Sequence, residues 1–338
     1  MAGAIKSTIV GVTIGLAVGM LLLAAGEFWA RAFVHVQGVD KTLFAHPHDG
    51  IAYFHRLNAD GIIAFGEPTY TDAEGFRISP YYQYPSHRPA VLFIGDSVTF
   101  GVGVKEEDSF VGRLRRARPD LRVYNAGVLG FNTAHYFQTA SYFLEHLSDI
   151  REVVVVVVLN DLDDISSRDI RDYLKHDQAQ DMEQADKVSW LARINATLRA
   201  KSALFVWLKA AIYDASATYY AKDTAAFNES ARFQAGMGFI EALAAKAARH
   251  HVALTVVMLP YEYQLRTPSL PREPQAQMAE YFRTHHLSFF DAYACMAGKV
   301  TSRTLYLYGD HIHLSPQGHA LIAECMAPLM LDKEGSAY

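Results

Sequence analysis

Cysteine is nearly absent from this chain: 338 residues hold two, Cys295 and Cys325. Neither sits in a C-x-x-C pair or at a metal-ligand spacing, which removes a cysteine-built zinc or iron–sulfur centre from consideration. Two cysteines are compatible with one disulfide in an oxidising compartment and equally with two separate buried thiols. Basic charge is not in excess either. Lys and Arg number 31 against 36 Asp and Glu, a formal net charge of −5, so nothing electrostatic points to nucleic acid. The one basic cluster, Arg113-Leu114-Arg115-Arg116-Ala117-Arg118, reads as the solvated face of a helix. Gly101-Val102-Gly103-Val104-Lys105-Glu106 lacks the Gly-Lys-Ser/Thr ending of a P-loop and the full dinucleotide glycine pattern, so phosphate binding is not expected there. The histidines of His46/His48, His250/His251 and His285/His286 have no carboxylate or cysteine at ligand spacing, and no metal is expected.

Long apolar runs, by contrast, are present. Residues 7–25 (STIVGVTIGLAVGMLLLAA) carry no charge over nineteen positions, enough to cross a hydrocarbon core of about 30 Å. Lys6 precedes the run while Glu27 and Arg31 follow it, a bias that places the N-terminus in the cytoplasm. We read residues 1–31 as an uncleaved transmembrane anchor. A cleaved signal peptide is the alternative, although no clear A-x-A site closes the run. On either reading the remaining chain lies outside the cytoplasm. Residues 32–90, rich in Tyr, Phe, His, Gly and Pro, read as loops and short strands leading into the main domain.

From residue 91 onward strand and helix signals alternate. VLFIGD (91–96) reads as a buried strand, Asp108 to Arg118 as a helix, LRVYNAG (121–127) as a strand and Thr133 to Leu147 as a helix. The uninterrupted β-branched run VVVVVVL (153–159) marks a strand covered on both faces. Strands follow at 252–259 and 287–292, each after a helix-like segment, and Ser315-Pro316 opens a last helix as N-cap and N1. Such alternation predicts a parallel sheet with helices on both sides, with ligands bound beyond the C-terminal strand ends. About ninety residues between Asp161 and the strand at 252 have helical character. Within them LARINATLRAKSALFVWLKAAIYDA (191–215) has a broad apolar face, read as packing on the domain, lying on a membrane or covering a site.

Ser97, Gly127, Gly130 and Asn160 all follow directly on predicted strands, so four glycine or polar positions far apart in sequence converge on one rim. A serine hydroxyl needs a base to become a nucleophile. The stretch Tyr308-Gly309-Asp310-His311-Ile312-His313-Leu314-Ser315 supplies one: in a D-x-x-H turn Asp310 can fix the tautomer of His313 and leave Nε2 to face Ser97. A developing oxyanion needs preorganised donors, for which the Ser97 and Gly130 N–H groups and the Asn160 amide are candidates. His311 is expected to point away as a loop residue, Asp161 to be a structural hydrogen-bonding partner, and Asp163 and Asp164 to be a solvated loop pair.

In order and spacing, GDSVTFG (95–101), NAGVLG (125–130), LND (159–161) and DHIHLS (310–315) resemble the four sequence blocks of the SGNH (GDSL) hydrolase family over about residues 90–330. The segment TDAEGFR (71–77) resembles a G-F-R segment of its membrane-anchored bacterial members, and PYEYQ (260–264) is similar to that group as well. The resemblance implies a flavodoxin-like three-layer α/β/α sandwich over 91–332, with a helical insertion at about 165–235. It implies Ser97 as nucleophile, His313 as base, Asp310 as its orienting group, and Gly130 and Asn160 completing the oxyanion hole with Ser97. The third block usually reads G-x-N-D, and here Val158 stands at the glycine position, where a β-branched side chain is expected to narrow the site. The activity implied is hydrolysis of a carbohydrate or lipid acyl ester without a cofactor. Two alternatives are O-acetyl transfer to an envelope polysaccharide, as in family members that act in alginate acetylation, with a membrane acyltransferase as partner, and a non-catalytic tethered binding module.

Overall fold

The computed structural model of the protein describes residues 2–162, 165 and 189–330. The apolar N-terminal run forms a single helix, α1 (Ala2–Ala30). Its segment Ile9–Ala30 has a mean hydropathy of 2.3 and is exposed almost throughout as far as Ala25, so by length and composition it can cross a membrane.

Five short strands follow before the main sheet. β1 (Phe44–Ala45) and β2 (Phe54–His55) pair antiparallel, and β3 (Ile62–Ala64), β4 (Glu67–Thr71) and β5 (Arg77–Ile78) form a second antiparallel sheet. β3 and β4 are joined by Phe65-Gly66, whose φ angles of 51° and 85° are both positive, as a tight two-residue hairpin turn of right-handed twist requires. The Phe65 side chain is thereby held at the hairpin tip.

The central sheet contains β6 (Ala90–Gly95), β7 (Arg122–Gly127), β8 (Ile150–Val157), β9 (Ala253–Met258) and β10 (Ser288–Asp291), all parallel, in the order β10-β9-β8-β6-β7. Every residue of β6 is buried, and β8 is buried except at Arg151, because their Val, Ile, Leu and Phe side chains are covered on both faces. The chain runs from β6 out to β7, then back past β6 to β8, and continues in that direction, which is the flavodoxin order. Right-handed crossovers put α3 (Phe110–Ala117) and α4 (Thr133–His146) on opposite faces of the sheet. α3 packs with the final helix Pro316–Met326, and α4 with the helix Ser230–Arg249. The three-layer α/β sandwich expected from the sequence is the fold that forms, and the crevice where strand order reverses lies at the C-terminal end of β6.

Between β8 and β9 the helices Trp190–Lys201, Ala203–Ile212 and Ala215–Phe227 precede Ser230–Arg249. Residues 166–188 of the expected helical insertion, and the pair Asp163 and Asp164, lie outside the described residues. Cys295 and Cys325 form a disulfide with their Cα atoms 6.1 Å apart, tying the short helix Tyr293–Met296 to the final helix.

The basic cluster departs from expectation at one position. Arg115 is buried, because it lies one turn beyond Val111 on the face of α3 that packs on the sheet. Its charge is matched by Glu106 at 2.5 Å, its Nε donates to the Val123 carbonyl at 2.9 Å and its second terminal nitrogen to the Arg77 carbonyl at 3.2 Å, so each nitrogen of this buried guanidinium has a partner.

Candidate active site

β6 ends in Gly95-Asp96, and the chain turns at once into the one-turn helix α2 (Ser97–Phe100). The turn is this tight because two glycines clear it. A Cβ on Gly95 would lie 2.1 Å from Thr99 Oγ1, and one on Gly127 of the neighbouring strand 2.3 Å from the Phe100 amide nitrogen. Asp96 caps α2, its Oδ1 accepting the Val98 N–H at 2.8 Å. Arg77 closes the other end. It is buried beneath α2, donating to the carbonyls of Gly101 at 2.8 Å and Val104 at 2.7 Å as well as that of Phe100, with its guanidinium 4.2 Å from the Phe100 ring centroid. Burial lowers the Arg77 pKa to about 10, which leaves it charged at neutral pH. Ser97 is thus presented, half-buried, at the switch point of the sheet.

His313 arrives from the loop before the final helix, 216 residues further along the chain. The Ser97 hydroxyl lies 2.9 Å from His313 Nε2, and His313 Nδ1 lies 2.8 Å from Asp310 Oδ2. The loop holds Asp310 in place: its Oδ1 accepts the Ile312 N–H at 3.0 Å and the His313 N–H at 2.9 Å. A carboxylate at Nδ1 fixes the imidazole with its proton on that nitrogen and an open lone pair toward Ser97. Burial opposes charge on His313, but the Asp310 carboxylate and its hydrogen bond outweigh that and hold the imidazole pKa above its ordinary 6.5. Burial likewise works against the Asp310 carboxylate, yet the facing His313 charge and the hydrogen bonds it accepts hold its pKa far below the usual carboxylate range. The Phe65 ring, at the β3–β4 tip, lies 6.2 Å from the His313 ring and walls one side of it.

The two other expected residues stand at the ends of the flanking strands, Gly130 beyond β7 and Asn160 beyond β8. Gly130 has φ +78°, and a Cβ there would meet only the Tyr53 hydroxyl, at 3.3 Å, so its backbone faces open space. Among the described residues nothing accepts the N–H of Ser97 or of Gly130. Asn160 is half-buried, with Oδ1 3.3 Å from the Tyr261 hydroxyl, and Tyr261 in turn donates to Asp223 at 2.6 Å. The hydrogen bonds therefore join Ser97, His313 and Asp310 directly, while Gly130 and Asn160 border the same strand-end crevice without bonding to them.

Several solved structures are similar to the chain. TesA is 14% identical over 71% of this chain and 96% of its own, with a TM-score of 0.41. A GDSL-like lipase from Bacteroides thetaiotaomicron is 13% identical over 73% and 90%, with a TM-score of 0.40. The psychrotrophic esterase EstA from Pseudoalteromonas sp. is 13% identical over 71% and 95%, with a TM-score of 0.39. No family model and no curated protein matches the chain. Likeness at this level carries no chemistry over to this site.

The remaining candidates are placed as follows. His311 turns away from Ser97 and stacks on Tyr219 at 4.3 Å, where burial lowers its pKa to about 4 and keeps it neutral. Asp161 Oδ2 accepts the Val158 N–H at 2.8 Å, closing the turn after β8. Val158 itself is buried in the main core. Four residues with a structural part in the site are not distinguished singly by the sequence. Arg77 was visible only as part of a G-F-R segment. Tyr261 is visible only as part of PYEYQ, and Phe65 and Asp223 carry no signal, because their roles depend on contacts between distant segments.

Proposed function

We propose that the chain is a membrane-anchored serine carboxylester hydrolase of the SGNH type. The observation that carries this reading is the chain of contacts from Ser97 Oγ to His313 Nε2 at 2.9 Å and from His313 Nδ1 to Asp310 at 2.8 Å, set at the switch point of a parallel sheet. His313 takes the Ser97 proton as Oγ bonds to the ester carbonyl carbon. The tetrahedral oxyanion is held by the Ser97 and Gly130 N–H groups and the Asn160 amide. Collapse breaks the bond to the alkoxide, which leaves with the proton from His313 and gives an acyl-Ser97. Water, deprotonated by His313, then attacks the acyl carbon, and the Ser97 oxygen leaves with that proton, returning the free enzyme and a carboxylic acid. Asp310 stays ionised throughout and stabilises the imidazolium.

α1 is the anchor in this reading, with the sheet domain on the extracytoplasmic side. The Cys295–Cys325 disulfide supports that side, since such bonds persist in oxidising compartments. The substrate in this reading is an acyl ester of a saccharide or a lipid. The test is p-nitrophenyl acetate hydrolysis with burst kinetics. The wild-type chain is expected to release p-nitrophenol in a burst near one equivalent, and Ser97→Ala to abolish the burst and lower the rate by at least about 10³-fold. An equal rate in Ser97→Ala removes Ser97 from the chemistry. Acetyl appearing on an added oligosaccharide in place of free acetate reassigns the second half-reaction from hydrolysis to transfer.

A further inference from the structure

Outside α1, more than half of the large exposed apolar side chains fall between residues 190 and 213. Trp190, Leu191, Ile194, Leu198, Leu208 and Ile212 are all exposed, Trp190 at 68% and Ile212 at 88%. The helix Trp190–Lys201 buries none of its residues. At roughly 100° per residue its four large apolar side chains fall within an arc of about 100°, a single stripe left exposed among the described residues. The next helix, Ala203–Ile212, continues the pattern with Leu208 and Ile212 one turn apart.

The elbow between these helices is fixed to the end of α1. The Glu27 carboxylate, in the last turn of α1, accepts from Ser202 Oγ at 2.7 Å and from the N–H groups of Ala203 and Leu204 at 3.0 Å each, so it caps the second helix of the hairpin. Arg31 donates to the Lys201 carbonyl at 2.8 Å and the Gln37 N–H to the Arg199 carbonyl at 2.9 Å. Trp29 and Trp207 meet edge to face at 5.4 Å over a small core of Ala30, Val34, Ala203 and Val206. The hairpin and the membrane helix therefore leave the bilayer boundary as one unit. Phe28, Trp29 and Phe33, all exposed, mark that boundary, where aromatic side chains concentrate. Residues 190–212 carry Arg193, Arg199, Lys201 and Lys209 and no acidic side chain, in a chain whose net charge is −5.

We propose that the helical hairpin 190–212 lies in the interface of an anionic lipid bilayer, its apolar stripe among the acyl-chain ends nearest the headgroups and its cations among the phosphates. The proposal rests on α1 being the membrane anchor and is independent of the ester chemistry. An apolar stripe with flanking cations and no acids is the composition that binds such surfaces. It also brings the site loop to the membrane side, because Ala210 lies so close to Gly309, directly before Asp310, that a Cβ there would be 2.4 Å from Ala210 Cβ.

Tryptophan quenching in the full chain tests this. The three tryptophans are Trp29, Trp190 and Trp207. Trp29→Phe/Trp207→Phe leaves Trp190 as sole reporter, and Trp190→Phe/Trp207→Phe leaves Trp29. Each variant is reconstituted in phosphatidylglycerol vesicles containing lipid brominated near the headgroup end of its chains, with circular dichroism as the check on folding. Both reporters are expected to be quenched, Trp190 by at least twofold, and Trp190 less so when phosphatidylcholine replaces phosphatidylglycerol. Adding Leu191→Gln and Ile194→Gln to the Trp190 reporter is expected to halve its quenching. Quenching of Trp29 with none at Trp190 overturns the inference and leaves the anchor standing. Quenching of neither overturns both.

Discussion

Replacing Asp310 by Asn keeps the size of the side chain and removes its charge, which isolates what the carboxylate does for His313. With Nδ1 and Oδ2 2.8 Å apart, the charge centres of imidazolium and carboxylate are separated by about 4 Å. At an effective dielectric of about 20 their attraction is about 4 kcal/mol. That attraction exists only once His313 has taken the Ser97 proton, so it belongs to the transition state and to kcat. Its loss corresponds to about a 10³-fold lower plateau in kcat/KM for p-nitrophenyl acetate. The pH profile moves as well. His313 must be neutral to act as base, and its pKa stands above 6.5, so activity in the wild type rises with pH through a value above 6.5. In Asp310→Asn burial is opposed only by the Asp96 carboxylate, the imidazole pKa falls, and the rising limb shifts to lower pH while the plateau drops. A plateau within tenfold of wild type, or a limb displaced upward, refutes the assignment of Asp310 as the group that charges and orients the base.

Two stability measurements probe the scaffold of the site. Arg77→Met strips donors from the carbonyls of Phe100, Gly101 and Val104 under α2 and is expected to lower unfolding free energy by at least about 3 kcal/mol in urea titrations; a change under about 1 kcal/mol removes Arg77 from that role. Cys295→Ser/Cys325→Ser opens a ring spanning 30 positions and is expected to cost about 3–4 kcal/mol, read by denaturant unfolding under non-reducing conditions; a midpoint equal to wild type shows that the cross-link does not form in solution.

The sheet was the most legible part of the sequence, because β6 and the Val153–Val157 part of β8 are uninterrupted apolar runs that suit a strand covered on both faces. The short blocks at Ser97 and at Asp310 to His313 were legible for a related reason: each follows or precedes an element with a clear end, so its place on the rim could be read before any contact was known. Charge inside the fold was not legible. Arg115 sits in a run of arginines, and nothing local distinguishes the one that pairs with Glu106 from Arg113, Arg116 and Arg118, none of which is buried. Arg77 is hidden for the same reason, since the carbonyls it binds come from a segment 23 to 27 positions away. The apolar face at 191–215 was legible as a stripe, but what it meets depends on the elbow at Glu27, a contact across 175 to 177 positions.

The β3–β4 hairpin alters how the chain can be cut. Its tip sets the Phe65 ring against the imidazole of His313, and the next strand carries Arg77 under the serine turn. The stretch after α1 is therefore not a spacer between that helix and the sheet domain. A soluble fragment begun at residue 90 would keep the whole parallel sheet yet leave the imidazole flooded by solvent on one side and the serine helix without its clasp. A fragment begun just past Ala30 would keep both.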